Sequence, residues 1–163
     1  GLKILETPYI VEDYAIAVAK ENTELKEQMN AAIQELKNDG TLDALLDYYI
    51  NKNEDAKPYA SPEGIQYDGK LVMATNAAFP PYEYHENEQI VGLDVDFARA
   101  ICDKLGKELE ISDIDFDSII SAVQSGTKAD FAAAGLTVTE SRLKNVDFTD
   151  SYATGVQVII VKE

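Results

Sequence analysis

Residues 70–163 predict an α/β fold around a mostly parallel sheet, and three observations carry that expectation. LVMAT (71–75), ELEIS (108–112) and DFAAA (130–134) read as short strands. The segments between them place apolar residues at helical spacing, and each helical segment closes on a glycine. Strand, helix, strand, helix, strand in that order implies parallel strands joined by right-handed crossovers.

Taken in order, Tyr14–Val18 is an apolar run suited to a strand. Leu25, Met29, Ala32, Ile33 and Leu36 then share one helical face, with Asn22 or Thr23 as cap and Gly40 as stop. Leu42, Leu45, Leu46 and Tyr49 continue into a second helix. Residues 51–69 are polar, carry Pro58, Pro62, Gly64 and Gly69, and read as a surface connection. After LVMAT, Leu93, Phe97, Ile101 and Leu105 mark a helix with Asp94 as its expected N-cap and Gly106 as its stop. ELEIS alternates like a strand. Ile119, Ile120 and Val123 form the apolar face of a short helix ending at Gly126. Strands near 155–161 and 14–19 are expected as hinge-side strands, with the other three as parallel neighbours.

In parallel sheets ligands sit beyond the carboxyl ends of the strands. Asn76 and Phe79 follow the first strand, Phe116 follows the second, and the corner Ala134–Arg142 follows the third. Within that corner Gly135 leaves room for a ligand to approach the backbone. Thr139 is a good N-cap, which puts Arg142 at the third residue of a helix. The N–H groups of a helix start attract an anion, and a guanidinium adds a two-pronged grip on a carboxylate. The alternative is a junction whose arginine only pairs with surface acids.

The 163 residues are 45% hydrophobic, enough for one domain with a sizeable core. A formal net charge of −16 argues against nucleic acid and against anionic lipid as partners. Cys102, the only cysteine, has no internal disulfide partner and reads as packed. His85, the only histidine, lies in a polar turn. The run DIDFD (113–117) imitates a calcium loop but has Ser118 at the glycine position and Gln124 at the glutamate position. No nucleophile stands with a histidine, no glycine-rich phosphate loop is present, and the acids nearest the corner are Glu83 and Glu140. Tyr82 and Tyr84 either line the site or pack under its loop.

ATNAAFPPYEY (74–84), VGLDVDFARAI (91–101), DFDSIISAVQSG (115–126), AAGLTVTESR (133–142) and VDFTDSY (146–152) resemble the first lobe of bacterial extracellular amino-acid-binding proteins. These are receptors of ABC importers, near the glutamine- and histidine-binding pattern. The resemblance implies one lobe of a type II periplasmic binding protein, a three-layer α/β/α sandwich. Residues 14–50 resemble the closing segment of the same receptors, which here precedes the opening one. The implied organisation is a lobe in permuted order: 1–50 as closing segment, 51–69 as linker, 70–163 as opening βαβαβ segment, and the second lobe absent. A natural rearrangement, a piece of a tandem receptor and a designed permutation all fit that order.

From the resemblance, Arg142 grips the ligand's α-carboxylate with help from Thr137. The carbonyl of Ala134 or Gly135 accepts from the α-ammonium, and Phe79 and Phe116 sandwich the side chain. Asn76 reads its polar end, where the glutamine-binding pattern has an acid; that departure leaves the ligand as an amino acid, expected to be polar. No cofactor, no metal and no catalysis are implied. The implied partners are the second lobe and importer membrane subunits, in an extracytoplasmic setting, with self-association possible through the open binding face. A sensor domain of a signalling protein is the alternative function, and a dehydratase- or transglycosylase-like enzyme a more distant one. The lobe alone is expected to show weak or undetectable binding, because closure of the second lobe supplies contacts and excludes water.

Overall fold

Four of the five strands of the central sheet share one direction in the computed structural model, which describes all residues Gly1–Glu163. The chain begins with β1 (Leu2–Ile4), β2 (Ile10–Ala19), α1 (Thr23–Asn38) and α2 (Thr41–Tyr49). After a non-repetitive stretch come β3 (Lys70–Thr75), the small antiparallel sheet of β4 (Ala78–Phe79), β5 (Glu83–Glu86) and β6 (Gln89–Val91), and then α3 (Leu93–Lys104). β7 (Glu108–Asp113), a 3-10 turn at Phe116–Ser118, α4 (Ile119–Ser125) and β8 (Phe131–Ala132) follow. α5 (Glu140–Leu143), β9 (Val146–Gln157) and β10 (Ile160–Lys162) complete the fold.

The central sheet is ordered β7-β3-β8-β2-β9. β3 is parallel to β7 and β8, as expected from the sequence. β2 runs antiparallel between β8 and β9, so the N-terminal segment forms an interior strand of the same sheet. Two register shifts interrupt the β2–β9 ladder around Ala15. There the Thr149 hydroxyl accepts the Ile16 N–H at 3.1 Å, so the ladder's lost partner is replaced.

Period-two alternation divides the sheet into two unlike faces. Tyr14, Ile16, Val18, Met73 and Phe131 join a large core with α1, α2 and α3. Ala17, Ala74, Ala132 and Val146 meet α4 in a smaller one. Helices on both faces make three layers. The predicted face of α1 (Leu25, Met29, Ala32, Ile33, Leu36) is buried throughout, and Asn22 caps the helix by accepting the Leu25 N–H at 3.3 Å. No helix is long and apolar enough to cross a membrane.

Two expectations need correction. The strand expected at 155–161 is instead the end of β9, which stops at Gln157, and the separate β10; β10 pairs with β1 in a two-stranded ribbon. Asp94 does not cap α3: the cap position belongs to Gly92, and the Asp94 side chain turns inward.

The connection 51–69 lies along α3 through tyrosines. Asp96 Oδ2 accepts the Tyr49 hydroxyl at 2.7 Å and the Tyr59 N–H at 3.0 Å. Two turns further on, Asp103 accepts the Tyr59 hydroxyl at 3.0 Å and the Tyr67 hydroxyl at 2.7 Å. Tyr59→Phe is expected to lower stability by about 1 kcal/mol, the usual net worth of one such bond. A urea titration should show a lower midpoint with an unchanged slope; an unchanged midpoint would mean that the connection is not held at this point.

Candidate functional site

β7 lies on one side of β3 and β8 on the other, so the chain switches direction across the sheet between β3 and β8. Loops leaving strands at such a point diverge and open a crevice. Here the crevice is a cavity of about 430 Å³. All seven residues singled out in the sequence line it: Asn76, Phe79, Phe116, Ala134, Gly135, Thr137 and Arg142. Glu12, Tyr14, Glu83 and Gln157 line it as well. A larger groove of about 670 Å³ runs beside α4 among Ser118, Ser121, Ser125 and Lys128, but it has neither an aromatic wall nor an arginine.

Arg142 is held in place without being neutralised. Thr139 caps α5 by accepting the Arg142 N–H at 3.2 Å, which sets the direction of the side chain. Arg142 Nη1 donates to the Thr137 carbonyl at 2.8 Å, and the guanidinium carbon lies 5.5 Å from the centre of the Phe116 ring. No carboxylate forms an ion pair with it. Burial pulls its pKa below the ordinary value, against a raising effect from Glu12. The helix start contributes less than the sequence suggested, because α5 is one turn long and few peptide dipoles align. The anion-attracting element of this corner is the guanidinium.

The remaining predicted residues are fixed by short-range contacts. Asn76 Nδ2 donates to the Ile114 carbonyl at 2.9 Å, tying the loops after β3 and β7 together. Phe79 stacks on Tyr82 with ring centres 5.2 Å apart, and Tyr82 meets Tyr14 edge-on. Phe79 and Phe116 are 43% and 42% exposed, so both rings present open faces. Gly135 has φ +51, and a Cβ there would lie 2.6 Å from the Phe79 ring. The glycine thus admits Phe79 rather than a ligand. Gly92 has φ +136, and a Cβ would collide with the Tyr82 carbonyl. That close approach seats the Tyr82–Glu83 turn on the start of α3.

Glu83, placed near the corner from the sequence, and Asp94, expected as a helix cap, form a buried acid pair that the sequence alone does not join. Glu83 and Asp94 are each 1% exposed. Asp94 Oδ2 accepts the Gly135 N–H at 2.7 Å, so the side chain expected to cap α3 instead anchors the loop after β8. Glu83 and Asp94 lie against each other with Oε2 of one and Oδ1 of the other unpartnered, and burial followed by the charge of Asp94 raises the Glu83 pKa far above the carboxylate range. Asp94 is raised by burial too. The sequence signal was acids inside two otherwise aromatic or apolar runs, one in PPYEY and two in GLDVDF. Cys102 is fully buried, with burial pushing its thiol up to about 12, so it is inert packing.

Comparison with known proteins points in one direction. The family of bacterial extracellular solute-binding proteins, family 3, matches residues 71–163. The arginine-binding extracellular protein ArtP of Bacillus subtilis is 44% identical over 94 residues, covering 58% of this chain and 36% of that protein. Among solved structures, an ancestral arginine-binding protein bound to arginine is 51% identical, with a TM-score of 0.48, covering 50% of this chain and 36% of that one. The arginine-bound form of domain 1 from TmArgBP is 44% identical, with a TM-score of 0.45, over 47% of this chain and 60% of that one. The chain spans about a third of the length of the curated relatives it matches, 36% and 32% of the first two.

Proposed function

The chain belongs to the bacterial extracellular solute-binding proteins of family 3, and on that premise we propose that it captures an amino acid with a cationic side chain, arginine first among them. One observation carries the proposal: a half-buried guanidinium without a carboxylate partner faces a cavity whose other wall is acidic. A free amino acid supplies the missing carboxylate, and desolvation makes that pairing strong.

Arg142 grips the α-carboxylate, with the Thr137 N–H and hydroxyl, which take no protein partner, as additional donors. The carbonyls of Ala134 and Gly135 accept from the α-ammonium. Phe79 and Phe116 cover the aliphatic stem from either side, and Asn76 and Glu83 meet the polar end of the side chain. The names of the relatives, arginine-binding proteins in Bacillus subtilis and Corynebacterium glutamicum, agree with a cationic ligand. Binding and release without covalent change is the reaction.

In the whole receptor this chain is the carboxylate-gripping lobe, working with a second lobe and handing the ligand to ABC importer subunits outside the cytoplasm. Residues 1–50 act as the closing segment of that lobe in permuted order; their support is the seat of β2 between β8 and β9.

Calorimetric titration of this chain with the common amino acids tests the reading. Arginine is expected to bind most tightly, and supplying a second lobe in trans should strengthen it by up to about a thousandfold, or about 4 kcal/mol. Preference for an acidic amino acid, or no binding by any of them once the second lobe is supplied, would overturn it.

A further inference from the structure

Glu83 and Asp94 form a contact between two acids from which every cation is absent. Glu83 lines the cavity while its side chain is almost wholly buried. Its Oε2 and the Asp94 Oδ1 receive no N–H and no hydroxyl hydrogen from outside the pair. The surroundings offer little to offset two negative charges. The loop after β8 contributes the Gly135 N–H, at 2.7 Å from Asp94 Oδ2. β9 contributes the Tyr152 hydroxyl beside Asp94, and β2 and the turn before β5 contribute Tyr14 and Tyr82. Glu12 and Arg142 stand on the cavity wall, and no ion pair joins Glu83 or Asp94 to a lysine, arginine or histidine. Two carboxylates in contact in such a place cannot both ionise. The empty site therefore keeps one proton between them and carries one charge where two are available.

This arrangement has a consequence for the amino-acid binding proposed above, on which it rests. We propose that a cationic ligand side chain replaces the shared proton at Glu83, so that arginine enters as one proton leaves for bulk water. In the empty site the Glu83 hydroxyl donates to Asp94. In the complex both acids are ionised: the guanidinium donates to Glu83, Asp94 retains the Gly135 N–H, and the unpartnered Tyr152 hydroxyl beside it is free to turn toward the new charge. No covalent bond changes, and charge balances because one positive charge leaves while another arrives. A neutral side chain of the same shape can accept the Glu83 hydrogen without displacing it. The pair therefore distinguishes charge rather than size, and it ties affinity for cationic ligands to pH.

The test is calorimetric titration of this chain with L-arginine and with L-citrulline, its neutral counterpart, in phosphate and in Tris at pH 7, with affinities followed from pH 6 to 8. Arginine should release close to one proton per molecule bound, read from the difference in heat between the buffers. Its affinity should rise toward tenfold per pH unit, while citrulline releases none and binds equally across the range. Glu83→Gln, which can still donate to Asp94, should abolish the arginine-linked release. Arginine binding without proton release and with one affinity from pH 6 to 8 overturns the exchange while leaving the amino-acid reading in place, and so does release that persists in Glu83→Gln. Failure of every amino acid to bind, with the second lobe supplied in trans, overturns both.

Discussion

Arg142→Ala is expected to weaken amino-acid binding by two to three orders of magnitude in a receptor with both lobes present. The guanidinium is half-buried, lies against Phe116 and has no carboxylate partner within this chain, which leaves it to the ligand carboxylate proposed above. Truncating one member of a desolvated charged pair costs about 2–5 kcal/mol. The fold should be little affected, because the side chain's one hydrogen bond goes to the Thr137 carbonyl. Calorimetry gives the affinity and circular dichroism the fold. Arg142→Lys, which keeps the charge but loses the planar fork, should fall between the two. Full affinity in Arg142→Ala would remove the carboxylate grip from this corner.

The second large effect is on stability. Glu83 is raised by burial and by Asp94, so the folded chain holds a proton that the unfolded chain has already given up at neutral pH. A group raised on folding stabilises below its unfolded pKa, about 4.3 for glutamate, and that stability is lost as pH climbs toward the folded value. One such proton gives a decline of about 1.4 kcal/mol per pH unit. Urea unfolding at pH 6, 7 and 8 should show this fall, over a range where the ordinary carboxylates are already ionised. Glu83→Gln removes the titrating group and should flatten the profile, leaving the variant more stable than the parent at pH 8. A flat profile in the parent, or an unchanged slope in the variant, would show that the two acids share no proton.

The parallel core could be read from the chain because each of its elements expresses its own period. Leu93, Phe97 and Ile101 repeat like a helix, and LVMAT is too short and too apolar to be anything but a buried strand. The residues at the strand ends were legible for the same reason, since a known strand direction fixes which loops meet. What stayed hidden depended on distant partners. Asp94 satisfies the local rule for a cap, yet its carboxylate is taken by the Gly135 N–H, 41 residues away. Glu83 can be placed near the corner, but nothing in the alternation of Tyr82, Glu83 and Tyr84 shows that it is buried against Asp94, because that burial comes from distant elements. The β4–β6 sheet is polar and short-stranded, so it gives no periodic signal. β9 carries polar residues through its length, and only its pairing with β2 makes it one strand.

The position of β2 also governs the order in which the molecule can assemble. Made early, this strand waits for neighbours made late: the Ile16 N–H meets Thr149 across a sequence separation of 133 residues. Until β8 and β9 emerge from synthesis, YAIAVA has no native partner on either edge, and only helices made before them can cover its apolar faces. Closing loops of that length before any pairing rewards them makes folding slow. During the wait a bare apolar strand can join another chain as readily as its own. Refolding should therefore be slower than the helical content alone would suggest, and its yield should fall with protein concentration.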